Sequence, residues 1–181
     1  MRNSIATIVC AIQPYDDLEA EHIRETLRWI ASGAPLCRLQ KPDVPPQHLV
    51  SYFILLDPSY QQVLLVDHRK SGLWLPSGGH VEPGEHPRAT VEREAQEELR
   101  IAAQFFLPDP LFLTVTQTVG QTAGHTDVSL WYVLIGDCQQ SLDYDHDEFV
   151  QIVWFPFRYL PSERTDPHLG RFAAKLMNHL R

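Results

Sequence analysis

No stretch constrains this chain more than Leu73 to Ile101, where Gly78, Gly79 and Gly84 precede a charged run containing Glu94, Glu97 and Glu98. Glycine carries no Cβ, so the backbone here can come close to a ligand or ion. Pro87 suits the first turn of a helix, and the pattern predicts one from Pro87 to Leu99. On a helix turning about 100° per residue, Glu97 and Glu98 flank Glu94 within about 60° on one face. Carboxylates so gathered repel one another and raise each other's pKa unless a cation lies among them. With oxygen ligands on offer, the fitting cofactor is Mg²⁺ or Mn²⁺. Arg93 is spaced to orient one of these glutamates through a two-pronged contact.

Read as G-x5-E-x7-R-E-U-x-E-E-x-G-U, with U a bulky aliphatic residue, the segment resembles the box of the Nudix hydrolases, the MutT-like family. Gly79, Glu85, Arg93, Glu94, Ala95, Glu97, Glu98 and Ile101 take its places. The resemblance implies an α/β fold, the Nudix-type α/β/α sandwich with a mixed sheet, here preceded by an N-terminal helical arm. It also implies Mg²⁺- or Mn²⁺-dependent hydrolysis of a nucleoside diphosphate linked to another moiety, with water attacking phosphorus. Glu97 and Glu98 become the first metal ligands, Glu94 a ligand or the base, Gly79 a ligand through its carbonyl, and Glu85 a supporting carboxylate, while Arg93 orients them. In this family an acid outside the box often completes the site. Glu148 is preferred to its neighbours Asp145 and Asp147, with Asp127 a weaker candidate.

Two positions depart from the pattern: Ala95 fills an aliphatic place, and Arg100 stands where the family has glycine. Glycine there would end the helix with positive φ, a conformation costing an arginine roughly 1 kcal/mol. Arg100 and the arm motivate the alternative reading, a non-catalytic Nudix-like nucleotide-binding or sensor module.

Around the box the texture changes from helix to strand. Leu18, Ile23, Leu27 and Ile30 fall at helical spacing within residues 14–32, with Asp16 or Asp17 as cap and Gly33 as stop. Pro35, Pro42, Pro45 and Pro46 mark an extended connector. The expected domains are therefore residues 1–46, the arm and connector, and 47–181, the Nudix domain. His48–Leu56 and Gln62–Val66, joined by a turn over residues 57–60, read as strands, as do Ala103–Leu107, Leu111–Val119, Val128–Ile135 and Phe149–Phe155. Asp166 to Leu180 reads as a closing helix, capped near Asp166 or Pro167.

Composition bounds the rest. The 181 residues carry a net charge of −8, the wrong sign for gripping a long phosphate backbone, so no extended nucleic acid is expected as partner. The excess is local: six of the 23 acidic residues lie between Glu82 and Glu98 and four more between Asp143 and Glu148. Such a surface, once it holds cations, suits a small nucleotide-type pyrophosphate. Cys10, Cys37 and Cys138 form no C-x-x-C pair, which fits a reducing, cytoplasmic setting. The apolar run from Ile5 to Ile12 is too short to span a bilayer, so no membrane association is expected. The N-terminal helix offers a packing face for a homodimer. Nine histidines form no H-x-x-H or H-x-x-x-H pair, so no zinc site is expected, and Ser77 lacks the G-x-S-x-G setting of a nucleophile. Trp74, Trp131 and Tyr132 are candidates to stack on a base, although alternation sends Trp131 and Tyr132 to opposite faces.

Overall fold

The computed structural model describes residues 1–40, 44–57, 59, 61–119 and 124–180. Pro42 of the connector and Pro58 and Tyr60 of the first turn lie outside them. Four helices, α1 (Arg2–Ala11), α2 (Asp17–Ala31), α3 (Pro87–Leu99) and α4 (Leu169–His179), surround seven strands. The strands are β1 (Gln47–Leu56), β2 (Gln62–His68), β3 (Leu73–Leu75), β4 (Ser77–His80), β5 (Phe112–Gln117), β6 (Thr126–Ile135) and β7 (Phe149–Pro156).

The sheet is mixed, in the order β3-β2-β1-β6-β5, with β4 also paired to β1 and β7 to β2. At its centre β1 and β6 run parallel in unbroken register from Gln47↔Thr126 to Leu56↔Ile135. Their long apolar runs are what a strand covered on both faces requires. Alternation then divides the core. Leu49, Phe53, Leu130, Tyr132 and Leu134 face one layer with Val91, Ala95 and Leu99 of α3. Ile54, Leu56, Trp131 and Val133 face the other with Leu169, Phe172 and Leu176 of α4. This is the expected α/β/α arrangement.

Beside their turn β1 and β2 pair through Leu56↔Val63. Farther along, β1 takes β4 as its antiparallel neighbour from Val50↔His80 to Phe53↔Ser77, while β2 takes β7. β1 and β2 thus part company, and residues of β1, β3 and β4 line the cleft described below.

Two local expectations are corrected. Residues 2–11 form α1, which the chain's texture did not suggest; Ile5, Val9 and Ile12 bury in the same core cluster as α3. Residues 103–107 are not a strand: only Phe105 makes a bridge, to Leu134. The Phe106 N–H still reaches the Val133 carbonyl at 2.9 Å, so the segment follows the sheet without forming a ladder. Residues 73–75 and 77–80 form β3 and β4, where the glycine-rich texture suggests only a tight loop; the other elements agree within a few residues. Asp16 caps α2 by accepting from the Glu19 N–H at 2.9 Å, and Gly33 stops it with φ +81°.

Candidate active site

The site is built where α3 meets β4. Pro87 opens α3, and His86 caps it by accepting from the Arg88 N–H at 3.2 Å. Arg100 closes it in the left-handed conformation, φ 55° and ψ 31°, and the Arg100 and Ile101 N–H groups both donate to the Ala95 carbonyl. The turn the family makes with glycine is therefore kept with an arginine.

Facing α3, β4 brings two glycines. Gly78 has φ +137°, and a Cβ there would lie 2.1 Å from the Ser51 carbonyl oxygen. Its N–H donates to Glu98 Oε2 at 2.9 Å. At Gly79 a Cβ would lie 2.0 Å from Glu94 Oε1, so the Glu94 carboxylate occupies the space a side chain would fill. Arg93 ties the carboxylates together: Nε and Nη2 donate to the two oxygens of Glu85 at 3.0 and 3.1 Å, and Nη1 to Glu94 at 2.7 Å and Glu97 at 3.2 Å. Thr90 Oγ1 adds a 2.8 Å bond to Glu85. Glu97 stays exposed, whereas Glu98 is buried.

Glu148 enters from the loop before β7. Asp145 shapes that loop, its Oδ1 accepting from the backbone N–H groups of Asp147 and Glu148. The Asp145 N–H donates to the Glu98 carbonyl at 2.8 Å, pinning the loop to the end of α3. Glu148 Oε1 meets His68 Nε2 at 3.3 Å, and this bond holds its carboxyl below the usual range. Burial pushes Glu98 well above that range, with repulsion from Glu94 and Glu148 adding to it, and burial also raises Glu94. Carboxylates so crowded, with Glu94 set directly against the side-chain-free Gly79, are a donor set of hard oxygens that suits Mg²⁺ or Mn²⁺.

The cluster lines a cleft of about 1080 Å³ whose walls also include Tyr52, His80, His125, Asp127 and Asp166. Asp127, named from the sequence as a weak partner for the box, instead faces three histidines: its Oδ1 lies 3.4 Å from His48 Nε2, 3.9 Å from His80 Nε2 and 3.2 Å from His125 Nε2. Their separation in sequence hides the histidines, although His125 and Asp127 stand two residues apart where β6 begins. His68 was missed too, since nothing in its local sequence points to Glu148. Trp131 and Tyr132 do point to opposite faces, but both are buried in core, and Trp74 stacks edge-on against Phe155 at 5.1 Å. None of the three lines the cleft.

The NUDIX-domain family model matches residues 46–176. A NUDIX-family hydrolase from Clostridium perfringens superposes with TM-score 0.59 at 19% identity, over 74% of this chain and 98% of that one. A MutT protein from Methanosarcina mazei Go1 gives TM-score 0.61 at 17% identity, over 75% and 96%. The NUDIX domain of Shewanella oneidensis NrtR, complexed with ADP ribose, gives 0.56 at 17%, over 75% and 89%. No curated protein matches the chain. With its box residues gathered on α3 and β4 and the family model spanning most of its length, the chain belongs to the Nudix family. Its enzyme class is that of hydrolases acting on pyrophosphate bonds.

Proposed function

We propose that the protein hydrolyses a nucleoside diphosphate linked to another moiety, with Mg²⁺ or Mn²⁺ and with water attacking phosphorus. The observation that carries this reading is that Glu94 and Glu98 pack against the Gly78–Gly79 strand, with Glu148 close enough to Glu98 to repel it, at the wall of a substrate-sized cleft. The ADP ribose held by the NrtR domain adds support for a ligand with a diphosphate between two larger groups.

Glu94, Glu97, Glu98 and the Gly79 carbonyl would hold the divalent ion, with Glu85 in support, and the ion would neutralise charge on the pyrophosphate. Arg93 keeps the carboxylates in register through its four contacts, so that little reorganisation is needed on binding. Glu148, steadied by His68 and by the Asp145 turn, is our choice of base to accept the proton of the attacking water. Residues 47–181 are read as the catalytic domain and 1–46 as an arm. Among the described residues no helix is long and apolar enough to cross a membrane, and the three cysteines are free, which supports a cytoplasmic setting.

The test is hydrolysis of a panel of ADP-ribose, nucleotide sugars, dinucleotide polyphosphates and nucleoside triphosphates, with each metal and with products identified. Glu97→Gln/Glu98→Gln is expected to abolish turnover with the fold retained, and Glu148→Gln to lower kcat by about 10²- to 10⁴-fold. Wild-type rates in the double variant would overturn the assignment.

A further inference from the structure

We propose that His48, His80, His125 and Asp127 form a binding site for one transition-metal ion of the Zn²⁺ class, separate from the glutamates of α3. Histidines too dispersed in sequence to suggest a metal are brought together by the fold: β1 supplies His48, the end of β4 His80, β6 Asp127, and the residue just before β6 His125. One ligand atom from each lies within 4.8 Å of all the others. The spacings from Asp127 Oδ1 to the three Nε2 atoms, 3.4, 3.9 and 3.2 Å, bracket the edge of about 3.3–3.4 Å expected between ligands of a tetrahedral ion with bonds near 2.0–2.1 Å.

Hydrogen bonding gives a second, independent reason. His48 is fully buried, and its Nε2, together with His80 Nε2 and Asp127 Oδ1, has no hydrogen-bond partner although shielded from solvent. His48 Nδ1 lies 3.1 Å from the Pro45 carbonyl, which can only accept, so Nδ1 carries the proton and Nε2 turns a bare lone pair toward the carboxylate. Thr118 Oγ1 donates to the His125 carbonyl at 3.1 Å and sits 3.3 Å from His125 Nδ1, where it accepts and leaves that Nε2 facing inward as well. Holding the outer nitrogen to aim the inner one, as at His48 and His125, is how metal-ligating histidines are oriented. One cation at this point would satisfy His48 Nε2, His80 Nε2 and Asp127 Oδ1 together.

The donor set separates this site from the box. Imidazoles with a single carboxylate favour Zn²⁺, Co²⁺ or Ni²⁺ over Mg²⁺, which takes oxygen. An ion here would pin β1, β4 and β6 to one another at the cleft wall.

The full chain, made without an affinity histidine tag and in the Glu97→Gln/Glu98→Gln background, would be stripped with chelator and titrated with Co²⁺ and then Zn²⁺. The expected result is one Co²⁺ per chain with the visible absorption of a tetrahedral ion, displaced by Zn²⁺, and a Tm that rises with metal. His80→Ala and Asp127→Asn are each expected to weaken binding by about 100-fold or more while the circular dichroism stays native. Absence of the tetrahedral spectrum, or affinity unchanged in both natively folded variants, would overturn the proposal. Neither outcome depends on whether pyrophosphates are hydrolysed.

Discussion

Gly78 and Gly79 are adjacent in β4, and each excludes a side chain for its own reason. At Gly78 the obstruction is backbone, the Ser51 carbonyl and the Tyr52 Cα, and φ is positive as well. At Gly79 the obstruction is the movable end of Glu94. Gly78→Ala is therefore expected to cost stability by about 3 kcal/mol or more, read as a fall in the denaturant midpoint. Gly79→Ala should keep most of its stability and lose activity by about 100-fold, because Glu94 must leave its place. Arg100→Gly should stabilise the protein by about 0.5–1 kcal/mol without changing kcat, since it relieves a left-handed arginine that does not line the cleft. These positions were legible because the box spells out identities at fixed spacing, and even the positive φ at residue 100 follows from the pattern. The histidine cluster was not legible: nothing local distinguishes His48 from a core histidine until parallel pairing sets it against Asp127.

The helices show a similar division. α2, α3 and α4 announce themselves by periodicity and caps. α1 does not, because its exposed side carries few charges and its buried side reads as a short apolar run. Ala103–Leu107 has strand composition, yet it makes a single bridge to β6, at Phe105, with scattered backbone bonds from Gln104 and Phe106 in place of a ladder. The contact that joins α2 to α4 could not be foreseen either. Glu19, with no exposed surface, accepts from Lys175 Nζ at 2.8 and 2.9 Å. Lys175→Met should destabilise by about 3–5 kcal/mol by leaving Glu19 buried without its cation, and Glu19→Gln/Lys175→Met should recover much of that loss in the same unfolding assay. A second tie joins Asp16 to Arg171, and the guanidinium lowers the Asp16 carboxyl to about 2. That lowering stabilises the fold above the ordinary aspartate pKa and is lost as pH falls from about 4 to about 2. Asp16→Asn keeps the helix cap, so it should cost roughly 0.5–1 kcal/mol at neutral pH and flatten the stability profile within that window.

Taken together, the layers leave β5 at one edge of the sheet, where its outer side needs a cover. β5 ends the sheet order, with β6 on its inner side. Its outward N–H groups are met by side chains of α2: the Leu113 N–H donates to Glu19 Oε1 at 3.2 Å and the Val115 N–H to His22 Nδ1 at 3.4 Å. A row of unsatisfied strand donors would otherwise recruit a strand from another molecule. A chain lacking residues 1–33 should therefore self-associate, seen as a concentration-dependent mass by light scattering, whereas the full chain with intact α2 should be free of that association. Synthesis adds a temporal aspect. α2 leaves the ribosome well before β5, so the cover exists before the strand it will shield, and the nascent protein need never display that edge to its neighbours.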